Sequence, residues 1–158
     1  MFKGNARLEE AVFPQLTAIF ASNGYNFQGC ISLSTAYMPK LIQASPREFD
    51  GCVNLKNTEF GSLSAVTTSM FQLCISLKSI KLPSVKSIGA TAFNKCVNLR
   101  TIDLRGVKQV PTLANVNAFA GLPSDYRILV DGDMIGAFKS AANWKNALVI
   151  NHITASQG

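Results

Sequence analysis

Cysteine, phenylalanine and leucine each recur in phase every 22 residues, and that period decides what this chain can fold into. Cys30, Cys52, Cys74 and Cys96 form one column, Phe27, Phe49, Phe71 and Phe93 a second, and Leu33, Leu55, Leu77 and Leu99 a third. A fixed period of this length means one small unit stacked on copies of itself. The unit reads Phe-x-x-Cys-x-x-Leu, followed by a segment of twelve residues that begins at the Leu. These segments are Leu33 to Ala44, Leu55 to Val66, Leu77 to Ile88 and Leu99 to Val110. An earlier copy, Leu8 to Ile19, lies 25 residues before the next. Its connection, Phe20 to Tyr25, therefore carries a three-residue insertion, with Ser22-Asn23-Gly24 as a turn signal. Beyond Val110, Phe119 arrives four residues late, which places an insertion within Pro111 to Asn117.

Counted from the leading Leu, the apolar positions are the first, fourth, sixth, ninth and twelfth. The fourth holds Ala11, Ala36, Thr58, Ile80 and Ile102; the sixth holds Phe13, Met38, Phe60, Leu82 and Leu104. Apolar and polar residues alternate here, which predicts a short half-buried strand. Pro14, Pro39, Gly61 and Pro83 come next and stop it, since proline has no N–H for a ladder. A second turn of chain carries the ninth and twelfth columns. One such coil cannot bury its own apolar side chains; stacked coils bury Leu on Leu, Phe on Phe and Cys on Cys. Parallel strands about 4.8 Å apart give five coils a length of about 25 Å. With 47% apolar and only 15% charged residues, 158 residues suffice for one well-buried domain.

The string LKSIKLPSVKSIGATAFNKC, Leu77 to Cys96, closely resembles the BspA-like, or treponemal-type, leucine-rich repeat. Ile128 to Asp131 followed by Met134 to Trp144 resembles the closing segment common in that family, a last strand before a short helix. Met134, Ile135, Phe138, Ala141 and Ala142 fit one helical face that, with Trp144, closes the end of the stack. Met1 to Arg7 offers no comparable cap. The resemblance implies a leucine-rich-repeat solenoid of α/β, β-rich class, a right-handed stack of about five coils. It forms a single domain over 1–158, with repeats over 8–126 and a C-terminal cap over 127–150. It also implies a role without catalysis, since such proteins are similar to bacterial surface adhesins, to surface proteins of some microbial eukaryotes and to phage-encoded proteins.

The residues point away from chemistry. The four cysteines lack the Cys-x2-Cys pairing of zinc sites and read as buried thiols on one inner column. The lone His152 has no partner at triad spacing and reads as a solvated tail residue. Asp131-Gly132-Asp133 reads as a turn, because the remaining ligands of a calcium loop are missing. No phosphate-binding glycine motif and no paired acid and base stand out. No catalytic residue, cofactor or metal is expected. The net charge is +6, but the fifteen Lys and Arg are spread with no run of five, which disfavours nucleic acid. No apolar run approaches the roughly 18 residues of a membrane span.

Binding is expected on the outward positions of the strands. The third gives Glu10, Thr35, Asn57, Ser79 and Thr101; the fifth gives Val12, Tyr37, Glu59, Lys81 and Asp103. Tyr37 is the best single anchor. Lys56, Lys78 and Arg100 form a basic stripe that serves solubility. Two roles are open. One is an adhesion module binding a protein, such as a host surface protein, or a glycan, on a cell surface or secreted after loss of a signal. The other is a structural part of a virion, such as a phage tail, baseplate or fibre, docked on an assembly neighbour. The first ten residues lack the apolar core of a secretory signal, and Met1 stands just before the first repeat. Both features suit the second role.

Overall fold

A computed structural model of the chain describes residues 2–20 and 25–155. The insertion signal Ser22-Asn23-Gly24 lies outside the described residues. Each coil has a three-residue strand at the third to fifth positions: β1 (Glu10–Val12), β3 (Thr35–Tyr37), β5 (Asn57–Glu59), β7 (Ser79–Lys81) and β9 (Thr101–Asp103). Equivalent residues pair in parallel, Glu10 with Thr35, Thr35 with Asn57 and Ser79 with Thr101, so the 22-residue period becomes the register itself.

Each coil also carries a second, two-residue strand that the sequence did not predict. These are β2 (Ala18–Ile19), β4 (Gln43–Ala44), β6 (Ala65–Val66), β8 (Ser87–Ile88) and β10 (Thr112–Leu113). Leu113 pairs with Ile88, so it takes the twelfth column in place of the half-buried Val110. Of the four inserted residues, three therefore precede this strand and one follows it.

The core is a set of ladders. The rings of Phe27, Phe49, Phe71 and Phe93 stack 5.4 to 5.7 Å apart and within 4° of parallel. Phe119 adds a rung at 6.3 Å. At the other end Phe2 stacks on Phe27 at 5.5 Å, and its amide donates to the Asn26 carbonyl. Residues Phe2 to Leu8 thus form one more Phe-to-Leu corner, with Asn5 in the place of Cys, where the sequence promised nothing. The residue before each Cys sits in the left-handed region. Gly29 and Gly51 meet this freely, whereas Leu73 (φ 60°) and Lys95 (φ 61°) hold it against their Cβ atoms.

The cap differs from the expected helix over Met134 to Trp144. Helix α1 spans only Ile135–Ser140, because Ala141 is extended and Asn143 turns left-handed (φ 64°). The Asn143 amide then reaches the Leu113 carbonyl at 2.7 Å. Trp144 is buried, edge-on to Phe138 at 5.0 Å, and its indole N–H donates to the Pro111 carbonyl at 2.7 Å. Strand β11 (Arg127–Val130) pairs with β9; a one-turn helix α2 (Ala147–Ile150) follows. Strand β12 (Ile153–Ala155) then pairs with β11 and lies beyond residue 150, where the expected cap ended.

Candidate docking surface

Short strands, four of the five stopped by Pro or Gly, place the third and fifth positions side by side on one face. Glu10, Asn57, Glu59, Ser79 and Lys81 are exposed there, and Thr35 and Thr101 half-buried. Val12 and Tyr37 face each other across the β1–β3 register and are 52% and 43% exposed, an apolar patch in a polar surface. Asp103 stands apart. It is buried, because Arg105 closes over it with Nε 2.8 Å from Oδ1 and Nη2 2.6 Å from Oδ2. Those bonds outweigh the burial and hold the Asp103 carboxyl below its usual range. What this position offers a partner is a neutralised pair, with Arg105 outermost.

Toward β9 and β11 the face becomes cationic. Arg100 pairs with Asp125 at 3.2 Å, both well exposed. Lys56, Lys78 and Lys81 have no ion pair among the described residues.

The face is also interrupted. Strands β5 and β7 belong to different sheets, although they are neighbours in the stack. In adjoining coils the amides of Lys56 and Asn57 donate to the Ser34 carbonyl, and those of Arg100 and Thr101 to the Lys78 carbonyl. The Met38 amide likewise donates to Glu59, and that of Leu82 to Asp103. The counterpart amides of Lys78, Ser79 and Phe60 make no such bond among the described residues. A concavity of about 460 Å³ extends from this break across β7 and β9 to β11, lined among others by Lys56, Thr58, Ser79, Lys81, Arg105 and Leu129. Thr58 is half-exposed there, whereas its column mates Ala11, Ala36, Ile80 and Ile102 are buried.

The cause is visible one corner earlier. Asn54 and Asn98 span to the coil before with their side chains, donating to the carbonyls of Ile31 and Ile75 at 2.8 Å. Ser32 does the same with its hydroxyl to the Ala6 carbonyl. Ser76 instead gives its own amide to the Val53 carbonyl at 3.1 Å. Backbone and backbone meet directly there, and the strand that follows, β7, is the one that forms no ladder with the coil before it. Ser32 occupies the same position beside an intact β1–β3 ladder, so residue type alone does not mark the break in the sequence.

The groups that suggest chemistry are otherwise engaged. Each thiol donates to a carbonyl one coil back, Cys52 to Phe27, Cys74 to Phe49 and Cys96 to Phe71 at 2.9 to 3.2 Å. They are therefore more than apolar fillers. Burial pushes the Cys96 thiol up to about 12 and raises those of Cys52 and Cys74 well above the ordinary thiol value, which removes the thiolate needed for attack. His152 is no solvated tail residue. Its ring stacks on Tyr126 at 3.9 Å, with Nδ1 2.9 Å from the Tyr126 carbonyl. Asp131 accepts the Gly106 amide at 2.9 Å. No cluster of three or more metal-ligating side chains occurs among the described residues. No helix among them is long and apolar enough to cross a membrane.

A family model described as the BspA type leucine rich repeat region matches residues 1–122 as six copies. The fold is similar to the crystal structure of a leucine rich cell surface protein from Faecalibacterium prausnitzii A2-165, with a TM-score of 0.65 and 23% identity. That likeness covers 90% of this chain, which spans 35% of the length of the other. No curated protein matches the chain.

Proposed function

Because the chain belongs to the BspA-type leucine-rich-repeat family, we propose that it is a non-catalytic adhesion module whose strand face docks a protein partner at a cell surface. The observation that carries this reading is the contrast between columns. Inward positions other than Thr58 stay apolar from coil to coil, while outward ones differ in size and charge along strands that pair about 4.8 Å apart on either side of the break. A rigid surface of this kind costs little ordering entropy on binding. The solved neighbour is named a cell surface protein, which supports a surface setting over assembly into a virion.

The exposed Tyr37, beside Val12, is the anchor. Tyr37→Ala is expected to weaken capture of the native partner by about 2 kcal/mol, the scale of an interface hot spot, with the fold unchanged by circular dichroism. A native partner retained at full affinity moves the site off this face.

A further inference from the structure

We infer that the break between β5 and β7 is a recognition cleft for a carboxylate-bearing, extended peptide segment. This rests on the docking reading of the strand face and specifies the charge of what docks there. Beyond the neutralised Asp103–Arg105 pair, the lining carries two further cations, Lys56 and Lys81, and no other carboxylate. Both oxygens of the Asp103 carboxylate are bound by Arg105, and Lys81, its register partner across β7–β9, acts on it only through its charge, without an ion pair.

Glu59 is the nearest rival. In an unbroken ladder it would stand opposite Lys81, where opposite charges pair. The break prevents this. No ion pair joins them, and the Glu59 carboxylate lies toward the next turn, with Oε1 3.5 Å from where a Cβ on Gly61 would sit. Lys81 and Lys56 are thus left as cations beside the amide of Ser79, which makes no ladder bond toward β5. Charged and backbone donors converging on one opening suit a carboxylate. The cleft holds no aromatic ring on which a sugar would stack, whereas Tyr37, two rungs away, offers an apolar contact about 10 Å off. An extended chain covers that span in about three residues. The segment that fits therefore has an apolar residue and an acidic one about three positions apart.

The test uses hexaglutamate as the probe on the full chain, followed by amide chemical shifts. The expected result is saturable binding that shifts the amides of residues 56–58 and 79–81. Lys56→Glu with Lys81→Glu should weaken it at least tenfold, while Lys139→Glu with Lys145→Glu on the cap leaves it unchanged. Equal loss in both variants would reduce the effect to general charge and overturn the proposal. So would a sulfated tetrasaccharide that occupies the cleft at lower concentration than the peptide, which assigns it to a glycan. If Tyr37→Ala weakens the native partner while hexaglutamate moves none of these amides, the docking face stands and the cleft assignment falls. If hexaglutamate binds as expected while Tyr37→Ala leaves the native partner bound, the cleft stands and the anchor falls.

Discussion

Ser76→Asn should close the break between β5 and β7. The substituted side chain has the reach of Asn54 and Asn98, which hold their carbonyls at 2.8 Å. It would take over the Val53 carbonyl and release the Ser76 amide from its 3.1 Å bond. The corner then relaxes to the spacing of its neighbours, and the strands come within ladder distance. By analogy with β3–β5 and β7–β9, the Ser79 amide gains the Lys56 carbonyl and the Phe60 amide gains the Lys81 carbonyl. Two or three such bonds contribute about 0.5 to 1.5 kcal/mol each, and fixing the longer side chain costs about 1 kcal/mol. The net is a stabilisation of about 0 to 3.5 kcal/mol, read from the urea midpoint at constant m. Native-state hydrogen exchange localises it: the Ser79 and Phe60 amides should slow by roughly ten- to a hundredfold. A folded variant whose Ser79 and Phe60 amides exchange as fast as before would refute the Ser76–Val53 bond as the cause of the break.

Two further outcomes follow from the ladders. Phe71→Ala removes a fully buried ring flanked at 5.5, 5.6 and 5.7 Å by Phe49, Phe60 and Phe93, and should cost about 3 to 5 kcal/mol. Phe2→Ala, at the half-buried end with Phe27 as its stacked neighbour, should cost about 1 to 2 kcal/mol; equal losses in urea unfolding would contradict coil-by-coil stacking. The raised thiols predict alkaline sensitivity. The folded chain keeps protons that the unfolded chain loses above about pH 8.5, so stability is complete below that value and falls as pH rises. Each buried thiol contributes about 1.4 kcal/mol per pH unit until its folded value is passed, which for Cys96 is about 12. Cys96→Ala should lower the slope of the urea midpoint between pH 9 and 11 by one proton's worth, and an unchanged slope would contradict it.

The stack was legible because burial and period coincide: Phe49, Phe71, Cys52 and Leu55 are inward in every coil and leave a column in the alphabet. The second strands were not, since two residues such as Gln43–Ala44 are too short to show alternation. β12 was missed for a related reason: Ile153 carries three residues of strand behind a helix of one turn. The cap helix was overextended, because its apolar spacing continues through Ala142 while the backbone already leaves at Ala141. On the candidate surface, exposure followed from alternation for Glu10, Tyr37, Asn57, Glu59, Ser79 and Lys81. Asp103 escaped the rule through Arg105 two residues on, a tertiary closure that no period encodes. Thr58 was present as a polar departure from its column, whereas Ser76 shares its residue type with Ser32, and only the folded stack turns these residues into a break.

The position of Trp144 has a practical consequence. It is the chain's sole tryptophan, and it sits at one extremity of a body whose units touch only their neighbours. Its emission therefore witnesses the peeling of the C-terminal closure and is blind to the opposite half. A melt followed by indole fluorescence and one followed by far-ultraviolet dichroism will trace different events wherever the two extremities loosen separately.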